Sequence, residues 1–580
     1  MRWIHPLSPD TGETADAIGG KAYGLVLLRR LGLPVPPGFV IGTDACRAFL
    51  RDGRLPDGLD DELAVAVAAL EDTTRRRLGG PGRPLAVSVR SGGRESMPGM
   101  MTTVLNLGLT TAATAALAAD TDDARFALDA RLRFLYGFAT ATTDLTAETL
   151  DAVVSEATGR GSGTTAADET TGRRSGATAA DEATGHEPGG TFVNEAARHG
   201  PGDVRRLSRA IHEVEAVIGR RAGRPVPDDA AEQLRLAVAA VFSSWDTPRA
   251  TTYRELHAIP HDLGTAVIVQ AMVFGNRDDR SGTGVAFSRD PNTGEPVPFG
   301  EVLFGRQGED VVSGRSSTLP LRDLADREPE VWAALLDALD RVEAHHRDAC
   351  YLEFTFEAGE LWLLQARPGR FTGAAAVRLA TDLADEGVIG RHEALLRVSP
   401  HDLRHARTRR LAATGGAGVL ARGLGACPGV VAGRVATTAD SAVRMAAEGP
   451  VILVRPETSP LDMRGIAVAA GIVTARGGPA SHAAIVARTM GKPAVVGVPD
   501  LTVTGASMRA GGRALPEGTL ISIDGTGGEV VLGSPSVIAA ATDPHLLRLL
   551  EWADEVSGDA SGRPADRRLH AAHSVLRPRP

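Results

Sequence analysis

The sequence predicts an α/β chain of several domains, on three observations. A length of 580 residues exceeds what one hydrophobic core supports and should divide into about three domains. Short glycine-bounded runs of β-branched and aromatic residues alternate with helical stretches as far as Gln365. A second, compact block of short strands runs from Leu424 to Leu532 around one well-capped helix. With 43% hydrophobic residues, 23% charged residues and a net charge of −9, the chain has no broad attraction for nucleic acid or anionic lipid. No run of about 18 apolar residues is present, and the N-terminus MRWIHPLSPD has neither an apolar nor an arginine-rich targeting pattern. A cytoplasmic protein is expected. The three cysteines, Cys46, Cys350 and Cys427, are scattered and suit a reducing compartment.

In chain order, strands are expected at Gly38 to Ile41 and Leu85 to Arg90, then alanine-rich helices over 111–150. Thr158 to Thr170 (TGRGSGTTAADET) is repeated in tandem as Thr171 to Ala183 (TGRRSGATAADEA), without a large apolar side chain. Such a segment cannot offset its chain entropy, so a disordered low-complexity insertion is expected at 156–191. Helices resume near Val204 and continue to Val241. A second α/β region, Gly264 to Gln365, begins with a strand at Thr265 to Gln270 and closes with Leu352 to Phe356 and Leu361 to Gln365, a hairpin about Ala358-Gly359. Residues 374–420 read as a helical linker, 421–535 as the compact strand-rich domain, and 536–580 as one helix, Leu546 to Val556, with a polar tail.

The chemistry concentrates in Gly477 to Arg488, GGPASHAAIVAR. An apolar, β-rich run from Gly465 to Thr474 leads into glycines and a proline, then Ser481 as a good N-cap and His482 in the first helical turn. The helix should end at Gly491 with Pro493 beyond. His482 therefore sits where unpaired N–H groups and the positive end of the helix dipole favour an anion, as on a transiently phosphorylated imidazole.

Of the 63 basic residues only Lys21 and Lys492 are lysines. Lysine's compact charge suits contact with one phosphate atom, which arginine's planar fork does not replace. Lys21 lies in Gly19-Gly20-Lys21-Ala22-Tyr23-Gly24, a glycine-rich approach to a helix and the place to look for a nucleotide. Lys492 reads as a charge at a helix C-terminus.

The His482 segment resembles the phosphohistidine motif of the phosphoenolpyruvate-utilising enzymes, and the chain is similar to the pyruvate, phosphate dikinases. The likeness extends through GGKAYG at 19–24, VSVRSGGRESMPGMMTTVLNLGL at 87–109, SSWDTPRATTYRELHAIPHDLGTAVIVQAMVFGN at 243–276, SGTGVAFSRDPNTGE at 281–295 and QGEDVVSG at 307–314. It implies an ATP-grasp nucleotide-binding domain of two subdomains over 1–373, followed by a swivelling β/β/α phosphohistidine domain over 421–535. By the same resemblance His482 carries the phosphoryl group and Arg367 contacts it during transfer. Lys21, Arg90, Glu353 and Gln365 bind nucleotide, with Glu353 also on Mg2+, and Gln270 and Met272 form the adenine edge. The implied cofactors are ATP and Mg2+, with inorganic phosphate as co-substrate. The loop Ser96 to Met101 is expected to lie over phosphates.

This sequence departs from that family at several points. Tyr351 stands where the family has an aspartate, Ala480 where it has a threonine, and Gly305 where it has an asparagine. Glu301 or Glu309 is a candidate to replace the lost carboxylate. In the dikinases a stretch like Glu551 to Glu555 leads into a barrel for pyruvate or phosphoenolpyruvate. That barrel is not found here, so the pyruvate step is expected to need a separate barrel chain, docked at the helix Leu546 to Val556. The alternatives are a catalytically weak nucleotide-binding or regulatory protein, and a phosphotransferase with another small-molecule acceptor.

Overall fold

The computed structural model describes residues 2–95, 97, 100–159, 201–308, 310, 318–369, 371, 373–406, 409–411, 418–478, 481–539, 543–559 and 561–577. The insertion expected at 156–191 lies outside them from residue 160 onward. Its first residues are helical, completing Ala147–Thr158 with Gly159 as a left-handed cap.

The N-terminal half builds two antiparallel five-stranded sheets. The first runs in the order Ile4–Pro6, Gly38–Ile41, Val267–Ala271, Val87–Ser91, Thr103–Leu107. Val267–Ala271, expected to open the second α/β region, instead sits at the centre of this sheet, paired with Gly38–Ile41 and Val87–Ser91. Val267, Ile268 and Val269 are fully buried, which at about 1.5–3 kcal/mol per side chain is a strong reason for a central position. The sequence shows that such a strand is buried on both faces, but not in which sheet.

The second sheet runs Leu319–Pro320, Phe299–Phe304, Gly282–Phe287, Cys350–Glu357, Glu360–Pro368. Its last two strands form the expected hairpin, turning at Ala358 and Gly359. The helix Ala15–Arg30 buries Ile18, Ala22, Leu25 and Leu28 in a core shared by both sheets and by the helix Pro329–His346. One core therefore holds both walls of the cleft between them.

Residues 374–420 are expected as a linker and the helix of 536–580 as a docking point for another chain. Instead the two pack on each other: Gly373–Asp385, Arg391–Arg397 and Pro400–Ala406 meet Pro544–Ser557 and a further helix, Ala565–Leu576, around a common core. Leu546, Leu549, Leu550 and Ala553 follow helical spacing and are buried there. The apolar face proposed for docking a barrel is thus already covered by this chain.

The remaining region has three layers. An eight-stranded mixed sheet runs Val419–Arg422, Glu529–Leu532, Leu520–Asp524, Val430–Ala436, Val451–Arg455, Gly471–Thr474, Ala494–Val496, Leu424–Cys427. Helices Ala439–Ala446, Met463–Val468 and His482–Met490 cover one face. The small sheet Thr502–Thr504, Ser507–Ala510, Arg513–Pro516 covers the other. The run Gly465 to Thr474, expected as strand, divides into the helix Met463–Val468 and the strand Gly471–Thr474. Gly465 is pressed onto the neighbouring helix, where a Cβ would lie 2.6 Å from the Ala439 Cα. Lys492 donates from Nζ to the carbonyls of Ala467 and Ala469, capping the end of Met463–Val468 rather than its own helix. Among the described residues, no helix is long and apolar enough to cross a membrane.

Candidate functional site

The glycine-rich approach fixes Lys21 through backbone contact. Gly19, at φ 78, kinks the helix Ala15–Arg30; a Cβ there would fall 1.4 Å from the Gly92 carbonyl oxygen. Gly20 N–H donates to the Gly93 carbonyl at 3.0 Å. The segments 19–21 and 91–93 therefore lie back to back, which only residues without side chains permit. Lys21 emerges half-buried beside Arg90, Glu353 and Arg367. Burial pushes its pKa below the usual lysine value of 10.5, Glu353 pulls it back up, and Arg90 and Arg367 push it further down.

Arg90, on Val87–Ser91, donates from Nη2 to Gln270 Oε1 and, at 3.5 Å, to the Leu364 carbonyl. Gln270 in turn donates from Nε2 to the Pro36 carbonyl at 2.9 Å. Expected at an adenine edge, the Gln270 amide is thus committed to orienting Arg90. Met272 gives its backbone N–H to the Ala86 carbonyl at 2.9 Å and lines the same cavity.

Glu353 and Gln365 are direct cross-strand partners, as are Tyr351 and Arg367. The Arg367 guanidinium lies 4.1 Å from the Tyr351 ring centroid, and the Tyr351 hydroxyl donates to Glu353 Oε1 at 3.3 Å. Three cations, Lys21, Arg90 and Arg367, surround one carboxylate. Among the described residues, the buried Nε groups of Arg90 and Arg367 have no hydrogen-bond acceptor, an arrangement that favours a ligand rich in anionic oxygen.

On the opposite side, Ser481 caps His482–Met490, its hydroxyl accepting from Ala484 N–H. His482 Nδ1 lies 3.1 Å from Thr458 Oγ1, which leaves Nε2 for chemistry. Burial lowers the His482 pKa from 6.5, opposed in part by Asp462. Pro479 and Ala480 lie outside the described residues, but Thr458 supplies a hydroxyl to the ring from the loop after Val451–Arg455. Sequence reasoning missed it: in Arg455-Pro456-Glu457-Thr458-Ser459-Pro460, Thr458 reads as a turn residue. Glu457 Oε2 accepts from Nε of Arg476 at 2.8 Å and pairs with its Nη2 at 2.7 Å, tying that loop to the start of the histidine segment.

All eight residues singled out from the sequence, Lys21, Arg90, Gln270, Met272, Glu353, Gln365, Arg367 and His482, line one cavity of about 1130 Å3. Trp245, Arg249 and Thr458 share its wall, as do Met97 and Met101 from the expected phosphate loop, of which Ser96, Pro98 and Gly99 lie outside the described residues. Glu309 lies outside them too. Glu301, the other candidate replacement carboxylate, is buried away from the cavity wall, against Gly478. Gly305 sits at φ 65, a left-handed conformation that glycine and asparagine both adopt, so the loss of the family's asparagine leaves this turn intact.

Residues 15–78 and 50–319 match the family described as pyruvate phosphate dikinase, AMP/ATP-binding domain. The chain belongs to the pyruvate phosphate dikinase family. Residues 447–528 match a second description, the mobile domain of PEP-utilising enzymes, and contain Thr458 and His482. Among curated relatives, the pyruvate, phosphate dikinase of Rhizobium meliloti (strain 1021) is 38% identical over 95% of this chain and 60% of its own length. That of Clostridium symbiosum is 36% identical over 96% of this chain and 60% of its own. Pyruvate, phosphate dikinase 2 of Zea mays is 39% identical over 93% of this chain and 58% of its own. The chain thus spans about 60% of the length of these dikinases.

Proposed function

We propose that this chain carries the nucleotide half of a dikinase reaction, transferring a phosphoryl group from ATP to His482. The observation that carries the reading is the meeting, around one cavity, of three cations, two of them with N–H donors that no acceptor among the described residues takes up, and a histidine presented by a different domain. Phosphoryl transfer asks for this positioning and charge stabilisation more than for covalent chemistry.

Lys21, Arg90 and Arg367 hold the phosphate chain. Thr458 Oγ1 accepts a hydrogen bond from Nδ1–H, fixing the tautomer whose Nε2 lone pair attacks the β-phosphorus. The Nε2–P bond forms as the bond from that phosphorus to the α–β bridging oxygen breaks, and AMP leaves with the electron pair. Inorganic phosphate then takes the outer phosphoryl as pyrophosphate, and phosphohistidine remains. Groups of three or more His, Cys, Asp or Glu able to hold a metal are absent among the described residues. Glu353 with Gln365 alongside fits a Mg2+ ion that takes most of its oxygens from phosphates. When bound, that ion neutralises charge on the transferring group. The pyruvate step is assigned to a barrel other than the sheets described above.

Incubation with β-labelled ATP and Mg2+ tests the reading. It expects acid-labile, base-stable label on the wild type and none on His482→Asn, which still binds ATP. Label persisting on His482→Asn would place the acceptor elsewhere. Tyr351, standing in place of a second carboxylate, favours a second reading, a nucleotide-binding protein of weak turnover. ATP binding without label would support it.

A further inference from the structure

Arg249 lines the cavity without a part in the transfer to His482. It is exposed, and among the described residues it forms no ion pair. Its hydrogen bond there runs from Nε to the Met100 carbonyl at 3.2 Å, which fixes the side chain and leaves both Nη groups of the fork free. The same short segment grips the neighbouring loop a second time, Ser244 Oγ accepting from Thr102 N–H at 3.2 Å. Between these two points Trp245 is clamped: its Nε1 donates to the His261 carbonyl at 2.8 Å, and the Arg254 guanidinium lies 4.3 Å from its ring centroid. A Cβ on Gly93 would lie 3.8 Å from the Trp245 ring, and the Gly93 carbonyl accepts from Gly20, the neighbour of Lys21. A guanidinium with free donors is thus held on the Lys21 side of the cavity, where an unanchored exposed arginine would be a solvated, wandering charge.

Lys21, Arg90 and Arg367, with Mg2+, answer the charge of the triphosphate, and Glu353 takes part of that positive charge back. A phosphate dianion that comes to accept the outer phosphoryl group meets negative charge with negative charge, and its approach needs a further cation. Arginine suits that task, because its planar fork holds a phosphate through two parallel N–H···O bonds. The cavity has room for it: about 1130 Å3 exceeds the roughly 300–1,000 Å3 usual for one small ligand.

We propose that Arg249 is the binding residue for inorganic phosphate, its two Nη groups holding the anion beside the outer phosphoryl group of the nucleotide. The proposal rests on the phosphotransfer reading and gives its second substrate a site. There an oxygen of the bound phosphate bonds to the γ-phosphorus as the bond from that phosphorus to the β–γ bridging oxygen breaks. The electron pair stays on the bridging oxygen, which remains on the phosphohistidine, and pyrophosphate leaves.

The test uses the full chain as wild type, Arg249→Met and Arg249→Lys. Rapid quenching measures AMP released from ATP and Mg2+ without phosphate, and pyrophosphate released as phosphate is titrated in. Arg249→Met is expected to raise the half-saturating phosphate concentration by about tenfold, the scale of one charge-assisted contact. AMP release without phosphate should stay at the wild-type level. Arg249→Lys, which keeps the charge and loses the Nε bond to Met100, should recover part of the phosphate affinity. An unchanged phosphate requirement in Arg249→Met overturns the proposal. So does AMP release that falls in step with it, or a lysine variant no better than the methionine variant, since either would make Arg249 a tether for the loop alone. Absence of AMP release from the wild type overturns the phosphotransfer reading instead. Equilibrium dialysis of labelled inorganic phosphate against protein saturated with the β,γ-imido analogue of ATP then decides the site: binding about tenfold tighter to the wild type than to Arg249→Met upholds it, and equal binding overturns it.

Discussion

Thr458 Oγ1 and His482 Nδ1 lie 3.1 Å apart, the hydroxyl reaching the ring from a loop 24 residues earlier in the chain. The contact leaves Nε2 as the nitrogen for the cavity. Thr458→Val should therefore slow labelling from ATP by about tenfold, the scale of one lost orienting hydrogen bond. Thr458→Ser should retain most of the rate. Equal rates for the valine and serine variants would show that the hydroxyl has no part in orienting the ring.

The pH dependence of labelling follows from the lowered pKa of His482. The neutral imidazole is the nucleophile, and burial shifts protonation below the ordinary 6.5. The rate should hold through 6.5 and fall only in more acidic buffer, as the ring takes up its proton. A half-maximal rate at or above 6.5, measured under single-turnover conditions, contradicts this.

Lys21→Arg should weaken ATP binding by about tenfold although the charge is kept, on the scale of one charge-assisted hydrogen bond. Lys21 is half-buried beside Arg90 and Arg367, and a planar fork does not occupy the place of a compact ammonium there. Calorimetric titration with ATP decides the point, and unchanged affinity would reduce the retention of this lysine to coincidence.

Tyr351→Asp would place a second carboxylate on the strand that bears Glu353 and remove the ring under Arg367. Affinity for Mg2+ in the presence of ATP should rise by about tenfold, since magnesium prefers carboxylate oxygen to a neutral phenol. Titration of the metal into the nucleotide complex measures it without reference to turnover. No change would mean that the ion is held by groups other than this strand.

Leu549→Ala should cost about 2–5 kcal/mol of stability, the usual range for a buried leucine. Leu549 is fully buried among the helices from both sides of the histidine domain. Denaturant unfolding checks it. A loss of only a few tenths would return Pro544–Ser557 to the exposed docking helix expected from sequence.

Local chemistry was legible in the sequence. Ser481, Gly491 and Pro493 bound the His482 helix because caps and breakers act on their neighbours, and the hairpin with Glu353 and Gln365 followed from alternation about Ala358 and Gly359. All eight site residues that the resemblance named line the cavity. What it did not carry was partnership between distant segments. Val267–Ala271 lies in the first sheet, Gln270 turns to Arg90, Thr458 reaches His482, and the C-terminal helices pack on residues 373–406. Hydrophobic spacing fixes that a face must be buried but not against what, and a hydroxyl in a turn carries no sign of the ring it will meet. Those choices belong to packing across the whole chain, and the tertiary structure alone makes them.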